Sequence, residues 1–256
     1  MININWSSVN LNTAEQHRFA VIDDVLTAGD LTVLKREVLE SKDSGAGWFH
    51  YNSPIEIKSS NSQWLSFPPA VYECLTELCS PEMSSRVSNL FDALVSADVG
   101  LHGAGIHLSG AGGNLNPHLD YEVHPKLGRR RLVNAILYLN DSGSDFNGGE
   151  LGLWSIGKSI HEDVGEPITT IVPKAGRLVF FDVSGEAWHG FVNPVEGGER
   201  LSLATYYLDI RVRDSERESS PRRSAVFAQN RHTIQSAGSN EAIIARATRA
   251  GYQYEK

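Results

Sequence analysis

From about residue 100 onward the chain breaks into short apolar runs separated by Gly- and Asn-rich turns. Candidate strands fall at 104–108, 132–139, 150–154, 168–172, 177–181, 190–195 and 201–210. Many short strands between turns restrict the fold to a sandwich or barrel. The preceding stretch has a different period. Residues 19–26 read as a short strand running into Thr27-Ala28-Gly29-Asp30, a helix start with an acid in its first turn. Leu31, Leu34 and Val38 follow at helical spacing. Pro69 opens a second pattern with Val71, Leu75 and Leu78 on one face, and Val87, Leu90, Phe91 and Leu94 make a third stripe. Residues 45–54 read as a loop that clusters Trp48, Phe49 and Tyr51. The expected architecture is mainly β with flanking helices packed outside the strands.

With 256 residues, 41% of them hydrophobic, the chain can bury one sizeable core. We expect a single domain over 1–212, with a strand and helix layer at about 19–95 and a β core at about 100–212. Residues 213–256 read as a charged linker and a helical tail, with Ile243, Ile244 and Ala247 on one side. The net charge of −8 disfavours a phosphate backbone, so no nucleic-acid partner is expected. Cys74 and Cys79 are too few for a disulfide framework and read as buried thiols. The segment Met1-Ile2-Asn3-Ile4-Asn5-Trp6 lacks the basic and apolar regions of a signal peptide, and no apolar stretch is as long as a membrane span. The expectation is a soluble, cytoplasmic chain with no membrane partner.

His118 and Asp120 are separated by one residue, so on an extended segment both point to the same face. The pair can reach one metal ion, with a third ligand from elsewhere in the fold. His189, between candidate strands, is the best candidate. Glu122 is a second candidate carboxylate, at wider spacing. Two imidazoles and a carboxylate on one face of a metal leave three positions open, the ligand set of non-haem Fe(II) oxygenases. Arg200, eleven residues after His189, adds a fork of donors that suits a carboxylate.

Several further segments occur in order around these residues. They are Gly112-Gly113-Asn114-Leu115-Asn116-Pro117-His118-Leu119-Asp120, Leu137-Tyr138-Leu139-Asn140 and Gly148-Gly149-Glu150-Leu151. Pro173-Lys174-Ala175-Gly176-Arg177-Leu178-Val179-Phe180-Phe181 follows, then His189, then Gly198-Glu199-Arg200-Leu201-Ser202-Leu203. Together they resemble the 2-oxoglutarate- and Fe(II)-dependent dioxygenases, in their prolyl-hydroxylase-like branch. The resemblance covers roughly residues 100–211 and extends weakly to 19–39. It implies a double-stranded β-helix, a cupin-like jelly roll with the metal at its open mouth. It further implies His118, Asp120 and His189 as Fe(II) ligands and Arg200 as the partner of the distal carboxylate of 2-oxoglutarate. Tyr138 matches a position that often donates to the same carboxylate, and Ser202 alternates with Arg200 onto one strand face. Fe(II) would be the cofactor, 2-oxoglutarate and O2 the co-substrates, and ascorbate a stimulant. One departure stands out. Many members carry a Tyr eight to ten residues before the first metal His, whereas this region reads Ile106-His107-Leu108-Ser109-Gly110. Either His107 replaces that Tyr or the contact is absent. The carboxylate of Asp120, which related halogenases lack, favours hydroxylation.

The implied activity is hydroxylation of an aliphatic carbon with release of succinate and CO2. A small-molecule substrate, such as an amino acid or derivative, is expected. The alternatives are a protein prolyl-type hydroxylase, a non-catalytic metal-binding jelly-roll module, or a metal-dependent hydrolase or isomerase. His124 reads as a structural loop residue or as a contact near the metal. Asp182 and Trp188 flank His189 and either orient it or pack. Of Arg129, Arg130 and Arg131, at most one or two can face inward, and a solvated strand end is the plainer reading. Trp48, Phe49, Tyr51 and Trp64 are candidates for substrate contact or for packing. His50, His102, His161 and His232 have no partners at telling spacing.

Overall fold

The computed structural model describes residues 1–157, 159–211 and 222–255. The N-terminal half contains β1 (Asn12–Ala14), β2 (His17–Ile22), α1 (Ala28–Ser44), β3 (Trp48–Ser53), β4 (Glu56–Asn61), α2 (Pro69–Leu78), α3 (Pro81–Phe91) and β5 (Val95–Ala97). Next come β6 (Gly105–Ser109), β7 (Asn114–Leu115), β8 (His118–Leu119), β9 (Arg131–Tyr138) and β10 (Leu151–Trp154). β11 (Thr169–Ile171), β12 (Leu178–Asp182), β13 (Trp188–Phe191), β14 (Arg200–Asp209), β15 (Val226–Phe227) and α4 (Ser239–Ala250) complete the order.

The strands form two antiparallel sheets. The larger runs β1-β2-β12-β9-β14-β6-β4-β3, with β5 on β14 and β7 on β4; the smaller runs β11-β10-β13-β8-β15. Side chains of both sheets line one shared cavity. This is the expected mainly β, jelly-roll core with flanking helices.

The centre of the larger sheet is buried on both faces, which is why Leu178–Asp182 shows no alternation. Phe180 packs away from the cavity beside Trp6 and Tyr207, while Phe181 meets the His189 ring edge-on at 5.1 Å. The helical layer is tied to the sheet through Tyr207, whose hydroxyl donates to the Leu78 carbonyl at the end of α2 (2.7 Å). The helix starts follow their local signals. Thr27 caps α1 by accepting from Asp30 N, and Glu37 of α1 accepts from Ala70 N at the start of α2.

Three expectations need correction. Residues 45–54 are not a loop, because Trp48–Ser53 forms β3 and pairs with β4 in a hairpin. These strands are edge elements with mixed burial, so they lack the clean alternation that marks a half-buried strand. The strand expected at 190–195 lies earlier, at Trp188–Phe191, because Pro194 cannot donate to a ladder. The strand expected at 19–26 ends at Ile22. The C-terminal helix forms as expected. α4 buries Ile243 and Ala247 in one cluster with Leu119, Trp188 and Phe227, and β15 adds a strand beside β8. Most of the expected charged linker, residues 212–221, lies outside the described residues.

Candidate active site

β8 and β13 are neighbours, and His118 and His189 stand opposite each other in the ladder. Their ring centroids are 4.3 Å apart. Each Nδ1 lies 3.0 Å from a backbone carbonyl, of Asn116 and of Ala187 respectively. A carbonyl can only accept, so both Nδ1 atoms donate and both Nε2 lone pairs remain free. Both Nε2 atoms face Asp120, at 3.8 Å for His118 and 3.6 Å for His189. The three ligand atoms lie within 4.8 Å of one another, and all three residues are buried. Asp120 Oδ2 has no hydrogen-bond partner among the described residues. Two converging lone pairs and an unpartnered buried carboxylate oxygen are what a divalent cation would satisfy, so the donor set fits Fe(II).

Protonation agrees with that fit. Burial, and then the neighbouring His189, push His118 down to about 3, which keeps it neutral. Burial pushes Asp120 up, but His189, Arg131 and His118 outweigh it and hold its carboxyl below the ordinary value. Glycine at position 190 matters here, because an added Cβ would sit 2.7 Å from the Asn116 carbonyl that orients His118's strand.

Arg200 comes from β14, where alternation puts Arg200, Ser202 and Tyr206 on one face. Its Nε donates to Gly149 O (2.8 Å) and its Nη1 to Ser202 Oγ (3.4 Å). The guanidinium carbon lies 4.8 Å from the Tyr138 ring centroid and 4.6 Å from that of Phe191. No carboxylate pairs with it among the described residues. The Tyr138 hydroxyl is fully buried and interacts with the Arg200 guanidinium. Gly149 makes the arrangement possible, since its φ is +65° and an added Cβ would lie 2.6 Å from Arg200 Cδ. The result is a buried guanidinium with donors to spare and, among the described residues, no ion pair, with Glu150 acting only from a distance, which suits a ligand carboxylate.

His107 stands in one register row with Ser60, Ser202 and Tyr138, across β4, β6, β14 and β9. It lines the same cavity as Arg200 and the metal residues. Burial, with Lys58 and Arg200 nearby, pushes it down to about 3. Of the three consecutive arginines, Arg131 turns inward and is 1% exposed. A ladder irregularity between Tyr207 and Leu208 pairs Arg131 with Leu208, displacing it from the face that Val133 would assign it. Its guanidinium lies between the rings of Tyr121 and Tyr206, at 3.5 and 3.7 Å. Its Nη1 is 4.0 Å from Asp120 Oδ1. The plainer sequence reading, a solvated strand end, is therefore corrected for Arg131.

Other candidates fall outside the cluster. His124 Nδ1 accepts from Lys126 N and Leu127 N, and its Nε2 lies 3.3 Å from buried Asp98, so it shapes a loop. Asp182 is taken by Arg18 and Trp188 packs in the second core cluster. Glu122 pairs with Arg130. Tyr51 lines the cavity, Phe49 and Trp64 line an adjoining groove, and Trp48 bonds to Ser41.

Sequence reasoning missed Asn134 and Tyr206, although both follow the two-residue alternation through Tyr138 and Ser202. It also missed Glu56, Lys58, Phe227 and Arg246, which line the cavity from elements distant in sequence. No local signal marks them.

The His-Asp-His cluster and the buried arginine thus share one cavity of the jelly roll. Residues 104–208 match the family described as the 2OG-Fe(II) oxygenase superfamily. The chain is 34% identical over 103 residues to prolyl 3-hydroxylase 2 of Rattus norvegicus, a match covering 40% of this chain and 13% of that protein. Among solved structures it resembles a Pseudomonas putida prolyl-4-hydroxylase, with a TM-score of 0.56 and 23% identity over 77% of this chain and 95% of that one. It also resembles SnoK, a non-haem α-ketoglutarate-dependent carbocyclase of nogalamycin biosynthesis, with a TM-score of 0.52 and 14% identity, covering 88% and 85%. No helix among the described residues is long and apolar enough to cross a membrane.

Proposed function

We propose that the protein is an Fe(II)- and 2-oxoglutarate-dependent hydroxylase acting on an aliphatic carbon of a small molecule, such as an amino acid or derivative. The observation that carries this is the pairing of two centres in one cavity: the oriented His118-Asp120-His189 cluster and the buried Arg200 guanidinium, with no ion pair among the described residues. A module that merely binds metal needs no such guanidinium. His118, Asp120 and His189 would hold the metal, and Arg200 with Tyr138 and Ser202 would hold the distal carboxylate of 2-oxoglutarate. His107 would take the place of the absent tyrosine at the co-substrate. Fe(II), 2-oxoglutarate and O2, when bound, supply the oxidising chemistry and release succinate and CO2. The chain's own part is to orient the ligands, keep the His118 imidazole neutral and exclude water through Phe181, Phe191 and Phe227. Ascorbate is proposed as a stimulating reductant and the cytoplasm as the location.

The cavity volume of about 240 Å³ supports a small substrate. Drug-sized ligands occupy roughly 300–1,000 Å³, and this space must also admit 2-oxoglutarate. A second reading, a peptidyl-prolyl hydroxylase, is favoured by the groove lined by Phe49, Trp64 and Leu65. It joins the cavity through Tyr51 and Tyr121.

Anaerobic titration of the metal-free protein with Fe(II) and 2-oxoglutarate tests the core of the reading. A visible charge-transfer band, lost in His118→Ala, is the expected result. Folded protein that gives no band would refute it.

A further inference from the structure

The cavity does not share the charge of the chain. The protein carries −8 overall. Yet the described residues lining the cavity include five cations, Lys58, Arg131, Arg200, Arg223 and Arg246, against two carboxylates, Glu56 and Asp120. A bound metal dication and the two carboxylates of 2-oxoglutarate cancel each other, so filling the site leaves the positive excess in place. Such an excess inside a concave, partly enclosed site concentrates anions there.

Much of the excess is organised at one wall. Lys58 Nζ lies 3.3 Å from Glu56 Oε1, and Arg246 Nη2 lies 3.0 Å from Glu56 Oε2. One carboxylate thus serves two cations. The wall is partly closed to water, with the Lys58, Glu56 and Arg246 side chains 16%, 7% and 30% exposed. Lys58 Nζ stands 5.2 Å from the Tyr51 ring centroid, and the Arg246 guanidinium 5.3 Å from that of Phe227. The other face of this wall leads to the metal residues, because the Phe227 ring stacks on His118 at 5.2 Å. An unbalanced cation held in a half-buried wall is costly unless something pairs with it. A second observation points the same way. The Nε of buried Arg131, which lines the cavity, is a donor with no hydrogen-bond partner among the described residues.

We propose that the substrate carries an oxyanion, a carboxylate or a phosphate, and that Lys58 and Arg246 bind it beside the metal residues. This rests on the oxygenase reading above and names the substrate class for that site. It excludes cationic substrates and gives the hairpin β3–β4 and the helix α4 a direct part in selection.

The test uses the full chain loaded anaerobically with Fe(II) and saturating 2-oxoglutarate. The probes are N-acetylated amino acids including N-acetyl-L-proline, hydroxy acids and phosphate monoesters, each paired with its neutral amide or alcohol. A C-terminally amidated proline peptide is the neutral peptide arm. Binding is read by thermal shift and calorimetry, and turnover by succinate formation. Binders are expected among the anionic members, and the carboxylate and phosphate arms identify the oxyanion. Lys58→Gln and Arg246→Gln should each weaken the best binder about tenfold, while leaving Glu56 one partner and so preserving the fold. Glu56→Gln should tighten binding severalfold, an effect that loss of packing would not produce. The charge-transfer band is the folding control for all three variants. The proposal is overturned if neutral partners bind as well as the acids, if no anionic member binds, or if the Lys58 and Arg246 variants keep the wild-type preference. Anion binding sensitive to Lys58, in protein that never shows the band, would instead refute the oxygenase reading and leave the anion site standing.

Discussion

The two cationic ends of the cavity are built on opposite terms. Arg200 is 4% exposed, sits between two aromatic rings and has no carboxylate partner among the described residues. Lys58 and Arg246 are less enclosed and share Glu56. The first arrangement is a fixed receptor, because every neighbour of the guanidinium is set by packing or by a backbone carbonyl. The second is a tunable one, because a shared carboxylate can yield when a stronger anion arrives. A constant co-substrate suits the first and a particular substrate suits the second. The origins of the residues differ in the same way. Arg200 lies within the segment that matches the superfamily, whereas Lys58 and Arg246 lie outside it.

Removing Arg200 should separate the two ends most sharply. Truncating one partner of a buried charge pair costs ~2–5 kcal/mol, so Arg200→Ala should raise the KM for 2-oxoglutarate about 100-fold. Steady-state succinate formation measures it, and an unchanged co-substrate KM would break the comparison. Acid titration probes the wall between the ends. His107 in the unfolded chain takes up its proton near its ordinary value, ~6.5, but in the fold it is pushed down to about 3. Between those values the unfolded chain binds a proton that the native state does not, so stability is lost as pH falls. At ~1.4 kcal/mol per pH unit, the loss is on the order of 3 kcal/mol by pH 4. Urea unfolding of metal-free protein across pH 4–7 should show this loss added to a comparable one from His118, also pushed down to about 3, and His107→Gln should reduce the slope without abolishing it.

Gly149→Ala tests whether the inner end is rigid. The new Cβ would meet Arg200 Cδ at 2.6 Å and occupy a left-handed backbone position. A rise of about tenfold in the KM for 2-oxoglutarate is expected, from ~1–3 kcal/mol of strain. A wild-type KM would mean that Arg200 moves freely and that the inner end is as adaptable as the outer. Tyr138→Phe should have the smallest effect. Its hydroxyl interacts with the Arg200 guanidinium, so little beyond the bond to bound co-substrate is lost. A net hydrogen bond of ~0.5–1.5 kcal/mol corresponds to an increase of about threefold or more in the same KM.

Much of the inner end is legible in the amino-acid sequence. His118 and Asp120 share a face because strand alternation has a period of two, and Arg200 and Ser202 follow by the same rule. The Thr27 and Pro69 helix starts are legible because capping is a contact between near neighbours in the chain. The β3–β4 hairpin is not, because edge strands with polar faces owe their conformation to the ladder they join. Arg131 is not either, since its direction depends on an irregularity in the pairing of β9 with β14.

The sequence by itself determined the strand-rich core, the helices packed on it, the His118-Asp120-His189 grouping and the placement of Arg200 on the same strand face as Ser202. Each of these is written in spacing along a single segment or in a short ordered series of segments. Only the tertiary structure decided that Lys58, Glu56 and Arg246 meet, that Phe227 covers His118, and that a chain of net negative charge encloses a positive cavity. Glu56 and Arg246 are 190 residues apart, and charge complementarity over that distance exists only once the sheets and α4 have packed.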